Sequence, residues 1–234
     1  MSSTLFLIPT TLGNVTTSNC IPTRVVEITQ SLTHFIVEDV RTARRYLSKL
    51  KMPVPIDKLN FYELNEHTKP EELHLLLQPL LEGNDVGLMS EAGVPAIADP
   101  GKDIVRIAHQ KGIKVVPLVG PSSILLALMA SGLNGQNFAF NGYLPIKDQE
   151  RAQQIRMLEK RSVQEQQAQV FIEAPYRNIK LLEALIATCN NNTMLCIAAN
   201  LTLDDECIQT QPIAYWKKHI PDINKKPCIF IMQG

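Results

Sequence analysis

Long apolar runs are missing from this sequence. The longest, Ile124 to Ala130, is seven residues, against the roughly 20 that a membrane-spanning helix needs, so no span is expected. No basic segment precedes the apolar stretch Leu5 to Ile8, which is itself too short for a signal peptide. Neither sign of charge is in excess: 23 Lys and Arg face 23 Asp and Glu. A whole-molecule positive field for nucleic acid is therefore absent, while a local basic patch stays open. The five cysteines, Cys20, Cys189, Cys196, Cys207 and Cys228, form no C-x-x-C. They read as small buried hydrophobes of a reduced, cytoplasmic protein, with neither disulfide nor metal. His34, His67, His74, His109 and His219 are scattered without metal spacing. There is no G-x-G-x-x-G, no G-x-x-x-x-G-K-[ST] and no nucleophile elbow. No repeat appears at a period of 20 to 50 residues.

What is there is ordinary globular material. The 234 residues are 45% hydrophobic and 20% charged, enough for one large domain or two small ones. The first half alternates strand and helix signals: strands at Leu5–Ile8, His34–Val37, Phe61–Leu64, Val86–Met89 and Ile113–Leu118, with helices at Ile21–Leu32, Val40–Leu50, Pro70–Leu81 and Lys102–Lys111. That alternation predicts a mostly parallel sheet with helices on both faces, a Rossmann-like α/β domain over residues 1–118. The second half predicts helices at Pro121–Ser131, Asp148–Gln167 and Asn178–Cys189. Its strands fall at Phe138–Leu144, Val170–Ala174, Met194–Leu201, Cys207–Ile213 and Cys228–Met232. The short Asp204-Asp205 turn favours antiparallel pairing, so residues 119–234 read as an α/β domain with a mixed or antiparallel sheet.

Three segments rich in small residues follow predicted strands of the first domain: Pro9 to Asn14, Ser90 to Gly101 and Val119 to Ser123. Ligands of open α/β sheets bind beyond the carboxyl ends of strands, and small residues there let a ligand approach the backbone. One such loop is no more than a tight turn; three at three strand ends predict a ligand cleft. Spacing alone does not name the ligand.

In chain order, the sequence carries Ile8-Pro9-Thr10-Thr11-Leu12-Gly13-Asn14, Val37-Glu38-Asp39-Val40-Arg41, Leu64-Asn65-Glu66-His67, Met89 to Pro95 with Asp99-Pro100-Gly101, Val119 to Pro145, and Phe171 to Arg177. These segments resemble, collinearly over nearly the whole chain, the tetrapyrrole-methylase superfamily of S-adenosylmethionine-dependent methyltransferases. Within it, they look most like the small-subunit ribosomal RNA methyltransferase I group. The resemblance implies a two-domain fold with the cofactor in the cleft between domains, a homodimer, and methylation of a ribose 2′-hydroxyl of small-subunit ribosomal RNA. It carries cofactor contact onto Pro9, Ser90, Glu91, Ala92, Gly93, Ser122, Ser123, Ile172 and Ala199. It carries catalytic or substrate-side roles onto Glu38, Asp39, Arg41, Asn65 and Glu66, with Asn14, Arg44 and Arg177 on the substrate.

The sequence also departs from the group. The loop aspartate is Glu91, the A-R-E-L-T-K motif reads Ala199-Asn200-Leu201-Thr202-Leu203, the late K-G-E reads Lys225-Lys226-Pro227, and the resemblance stops short of the usual C-terminal extension. Two other readings therefore stand beside RNA ribose methylation: methyl transfer to a small molecule such as a tetrapyrrole, and a cofactor-binding module that has lost turnover. Glu173, Glu206, Lys225 and Lys226 are candidates to replace the lost charges.

A ribose hydroxyl needs a base or an electrostatic activator. Glu38, Asp39, Glu66 and His67 are the candidate bases, and Arg41, Arg44 and Arg45 the candidate phosphate contacts. The plainer alternatives are that Asp39 and Arg41 cap and pair at a helix start, that His67 is a solvated loop residue, and that Arg177 with Glu173 forms an interdomain salt bridge.

Overall fold

The computed structural model describes residues 3–65 and 67–234, the side chain of Pro70 excepted. The chain divides into two compact units, Met1–Ser122 and Ser123–Gly234.

The first unit is built on five parallel strands, β1 (Thr4–Ile8), β2 (His34–Val37), β3 (Asn60–Glu63), β4 (Val86–Met89) and β5 (Lys114–Pro117), in the order β3-β2-β4-β1-β5. Alternate strand residues point to opposite faces, and each face meets its own helices. Ile8, Phe35, Val37 and Met89 pack with α1 (Thr23–Gln30) and α2 (Val40–Lys49) through Val26, Ala43, Tyr46 and Leu47. Leu5, Ile36, Val86 and Leu88 pack with α4 (Gln78–Leu81) and α5 (Lys102–Gln110) through Leu80, Ile104 and Ala108. Gly87 sits on the first face because a Cβ there would lie 2.4 Å from Ile8 Cδ1.

This order reverses direction at β4. The connections leaving β1 and β2 run towards β3 over one face, while those leaving β3 and β4 run towards β5 over the other. Helices that diverge to opposite faces leave a crevice at the carboxyl ends of the strands between them. Those ends carry Pro9, Glu38 and Ser90.

The helix expected over Pro70–Leu81 is broken. A 3-10 turn at Pro70–Glu72 leads into α3 (Leu73–Leu76), and α4 follows after Leu77. Pro79 has no N–H for the Leu75 carbonyl and its ring crowds that carbonyl, so the helix restarts with proline in its first turn.

The second unit holds β6 (Phe138–Tyr143), β7 (Ala168–Ile172), β8 (Met194–Ala199), β9 (Cys207–Pro212) and β10 (Cys228–Gln233), ordered β6-β7-β10-β8-β9. The sheet is mixed: β6 runs parallel to β7, and the other pairs are antiparallel. On one face α7 (Asp148–Glu165) and α8 (Asn178–Thr188) bury Ile155, Leu158, Leu181 and Leu185 against Phe171, Leu195, Ile197 and Phe230. The apolar α6 (Ser123–Ser131) packs on β8, β9 and β10.

Two details depart from the expected pattern. Helix α7 stops at Glu165, short of Gln167, because Gln166 takes a left-handed conformation at φ +50° that ends the helical ladder. Beyond β9 the chain coils at once into the short helix α9 (Ile213–Trp216), where the buried Trp216 indole N–H lies 3.1 Å from the Leu195 carbonyl and 3.2 Å from that of Gln211.

Candidate active site

The loops after β1, β4 and β5 lock onto one another. The Thr10 N–H donates to the Gly93 carbonyl at 2.8 Å. Gly93 has φ +77°, and a Cβ on it would stand 3.1 Å from Leu12 Cδ2 and 3.4 Å from the Pro121 carbonyl oxygen. At Gly120 a Cβ would fall 2.2 Å from that of Pro9, so the β5 loop rests directly on the β1 loop. The Tyr46 hydroxyl, reaching from α2, donates to the Pro9 carbonyl at 3.1 Å. Its burial holds the phenol well above its usual range. Glycine is required at these positions by sterics and by dihedral angle, and the result is a fixed cradle of small residues.

Polar groups around this cradle are incompletely satisfied. Thr10 Oγ1 is buried and has no hydrogen-bond partner among the described residues. Ser90 Oγ is buried likewise, without a partner of good geometry, yet near enough to the Asp99 carboxyl to favour its ionised form. Burial outweighs that contact and, together with the charge of Glu91, raises the Asp99 pKa above the ordinary carboxylate value. Glu38 behaves similarly. Burial raises its pKa, as do the nearby carboxylates of Asp99, Glu91 and Asp39, against one stabilising hydrogen bond from the Glu91 N–H at 3.3 Å. Two half-buried carboxyls with raised pKa values beside a backbone cradle are suited to proton transfer.

Asp39 is held differently. It is the N-cap of α2, accepting from the Thr42 N–H at 2.6 Å, and its hydrogen bonds to Thr42 lower its pKa. The first turn of α2 then reaches Glu91, with Thr42 Oγ1 3.4 Å from Glu91 Oε1.

An open cavity of about 820 Å³ lies between the β1 loop and α2. Asn14, Arg44, Arg45, Glu91 and Ala92 line it, while Arg41 stays outside and exposed. Sequence reasoning missed further lining residues, Thr10, Ser48 and Lys49. The helical spacing Arg44, Arg45, Ser48, Lys49 is the signal that places the last two one turn on from the first two. Lys49 Nζ donates to Asn14 Oδ1 at 2.8 Å, and the Arg44 guanidinium sits 5.9 Å from the centroid of Phe61.

Asn65 belongs to a separate hollow of about 240 Å³ that it shares with Asp99 and Lys102. Its side chain folds the local turn, donating to Glu63 at 2.6 Å and accepting from the His67 N–H at 2.9 Å. His67 is exposed. Glu66 lies outside the described residues.

In the second unit, Ile172 and Ala199 stand at the carboxyl ends of β7 and β8. β10 joins them, pairing Ile229 with Ile172 and Cys228 with Ala199. Ser123 begins α6, and Ser122 closes the first unit. Arg177 and the buried Glu173 form an ion pair at 2.6 Å within this unit, which corrects the interdomain alternative. The Ala174 N–H also donates to Glu173, at 2.7 Å, and the Arg177 guanidinium lies over the Tyr176 ring at 5.0 Å.

The altered segment after β8 is a built turn. Asn200 adopts φ +51° and donates to Asp205 at 2.7 Å. Glu206 accepts from the Thr202 N–H at 2.7 Å, and Lys226 pairs with Asp222 at 3.1 Å and Asp205 at 3.6 Å. Lys225 turns the chain at φ +59°. Of the candidate replacements, Glu206 and Lys226 are thus occupied by this turn.

The arrangement has relatives. The ribosomal RNA small subunit methyltransferase I of Vibrio cholerae is 31% identical over 210 residues, covering 90% of this chain and 69% of that protein. Its namesake from Escherichia coli O157:H7 is 30% identical over 233 residues, covering 98% of this chain and 77% of that protein. Among solved structures, the methyltransferase CobJ superposes with a TM-score of 0.65 at 14% identity, over 99% of this chain and 93% of that one. The cobalt precorrin-4 methyltransferase CbiF does so at 0.61 and 14%, over 98% and 94%. Both agree with the two α/β sheets described above. Residues 19–214 match the family model of Tetrapyrrole (Corrin/Porphyrin) Methylases. With the family match covering most of both units, the chain belongs to the tetrapyrrole methylases and is an S-adenosylmethionine-dependent methyltransferase.

Proposed function

We propose that this methyltransferase acts on small-subunit ribosomal RNA, at a ribose 2′-hydroxyl. The observation that carries the reading is the near full-length similarity to proteins named for that RNA, at about twice the identity of the tetrapyrrole-pathway structures. The cradle suits the cofactor: the buried Ser90 hydroxyl has no well-aligned partner among the described residues, and a Cβ at Gly93 would crowd Leu12 and Pro121. Pro9, Ser90 to Gly93 and Ser122, with Ser123, Ile172 and Ala199, are the proposed cofactor contacts. S-adenosylmethionine, when bound, would supply an electrophilic methyl on a sulfonium, with the neutral thioether as the leaving group.

The chain's own task is to hold the hydroxyl and take its proton. Glu38 is the proposed acceptor, its basicity raised by burial and by the Asp99, Glu91 and Asp39 charges. Asp39 fixes the start of α2. Arg41, Arg44 and Asn14 are the proposed residues that orient the RNA, with Asn65, Glu66 and Arg177 as further proposed substrate contacts. A homodimer is part of this reading, supported by exposed Met129, Tyr143 and Ile146 on the second unit. So is cytoplasmic action, supported by buried thiols at Cys189 and Cys228 whose pKa values are pushed up to about 12 by burial. No helix among the described residues is long and apolar enough to cross a membrane.

The test offers labelled S-adenosylmethionine with undermethylated small subunits, ribosomal RNA fragments and a panel of tetrapyrroles. Label is expected in RNA, recovered after digestion as a 2′-O-methyl nucleoside. Label confined to a tetrapyrrole would overturn the reading.

A further inference from the structure

We propose that the cavity between the β1 loop and α2 is a phosphodiester subsite, in which Arg45 and Lys49 hold a backbone phosphate of the substrate strand and the Thr10 hydroxyl donates to it. The proposal rests on the RNA reading above and adds to it the residues that grip the strand.

Three features of the cavity point to an anion. Arg44, Arg45 and Lys49 all line it, against the single carboxylate of Glu91. None of the three cations enters an ion pair among the described residues; Lys49 is steered by the neutral Asn14 amide oxygen at 2.8 Å. Thr10 Oγ1, on a residue 3% exposed that lines the same cavity, has no partner among the described residues. A buried hydroxyl left without a partner carries a cost that a bound acceptor removes.

The remaining chemistry selects phosphate. The guanidinium of Arg45 offers a planar fork of donors that matches two phosphate oxygens, and Lys49 adds a point charge. Ser48 places one more hydroxyl on the lining, the kind of donor that fixes register along a nucleic-acid backbone without reading sequence, while the Thr11 hydroxyl already donates to the Gly13 carbonyl at 2.7 Å. The Tyr46 hydroxyl proton is already given to Pro9, so that ring serves as wall. At about 820 Å³ the cavity has room for sugar beside the phosphate. It opens beside Glu91 and Ala92 of the cofactor cradle, which puts the gripped phosphate next to the reacting ribose.

The experiment uses the full chain with two probes: undermethylated small subunits for turnover, and a short single-stranded RNA for binding across a salt series. Lys49→Ala and Arg45→Ala are each expected to weaken RNA binding about tenfold. Each should also make the slope of log K against log salt shallower by about 0.7, the value for one lost single-strand phosphate contact. On subunits KM should rise with kcat nearly held, and S-adenosylmethionine affinity should be unchanged by calorimetry. Arg45→Lys should recover the salt slope but only part of the affinity, since charge returns without the fork. An unchanged slope in both alanine variants overturns the proposal. So does a fall in cofactor affinity with RNA binding intact, which assigns the cavity to the cofactor's carboxylate. Should the wild-type chain label no RNA at all, the underlying substrate reading fails; wild-type turnover on RNA with unaltered variants sinks the phosphate subsite alone. Circular dichroism of each variant separates a lost contact from a lost fold.

Discussion

The strand ends of the first unit and those of the second solve the same polar problem in opposite ways. At β1, β2 and β4 the buried Thr10 hydroxyl has no partner among the described residues, the Ser90 hydroxyl has only a poorly aligned contact with Asp99, and Glu38 and Asp99 carry raised pKa values. At β7 and β8 the corresponding groups are consumed: Glu173 by Arg177 and the Ala174 N–H, Asn200 by Asp205, and Lys226 by Asp205 and Asp222. The second unit is not free of exceptions, since Asn178 Oδ1, Thr202 Oγ1 and Arg151 Nε are buried without partners among the described residues, although Arg151 pairs with Asp148 through its terminal nitrogen. The contrast is in the ionisable groups. Carboxyls kept short of counter-charge are reactive, and carboxyls locked to cations are scaffold.

The largest expected effect tests the cradle. Gly93→Val places a β-branched residue at φ +77° within 3.1 Å of Leu12 Cδ2. The strain itself costs about 1–3 kcal/mol of stability; binding suffers because the added bulk stands where backbone meets ligand, and each 1.4 kcal/mol lost there is about tenfold in affinity. Calorimetry should show S-adenosylmethionine binding reduced about tenfold or more. The matched control is Gly142→Ala in β6, where φ is +64° but nothing lies within 4 Å of a new Cβ. It should lose some stability and no cofactor affinity. Equal affinity losses in the two variants would erase the distinction between the regions.

Next in size is the scaffold pair. Arg177→Ala leaves the buried Glu173 carboxylate with the Ala174 N–H and no cation, and breaking a buried pair from one side costs about 3 kcal/mol. The partial exposure of Arg177 puts the expected loss at or below that figure, read as a lower denaturant midpoint. A large loss of turnover at full stability would instead make substrate contact, and not the ion pair, the main role of Arg177.

The smallest effect carries a sign. A carboxyl whose pKa is raised on folding binds its proton more readily in the folded state, so its ionisation above that pKa costs stability. Glu38→Gln should therefore melt at or above the wild-type temperature at pH 8, with the gap closing as pH falls below about 4, while methyl transfer is lost. Asp39 has the reverse sign. Its lowered pKa means stability present at neutral pH and lost as pH falls through the folded value, and Asp39→Ala should cost about 1 kcal/mol as a missing N-cap. Opposite shifts in two adjacent carboxylates would separate proton acceptor from helix cap.

What the sequence determined by itself was local and periodic. Short apolar runs alternating with helical spacing set β1 to β5, and the short Asp204-Asp205 turn set the antiparallel pairing of β8 with β9. Glycine, proline and serine runs marked the three loops, because backbone conformation there is written in residue type. The collinear motifs carried the family. Pro79 was visible, but whether it would kink or break its helix was not, because that depends on what packs around the freed carbonyl.

Tertiary structure decided the rest. Only strand order puts the ends of β1, β2 and β4 side by side and brings Gly120 onto Pro9 and Thr10 onto Gly93. Only packing makes Asp39 a cap and Glu38 a raised carboxyl, although the two are neighbours in the chain, since a pKa is set by burial and surrounding charge. Only the fold sets the β1 loop beside Lys49 and gives its ammonium the Asn14 amide oxygen.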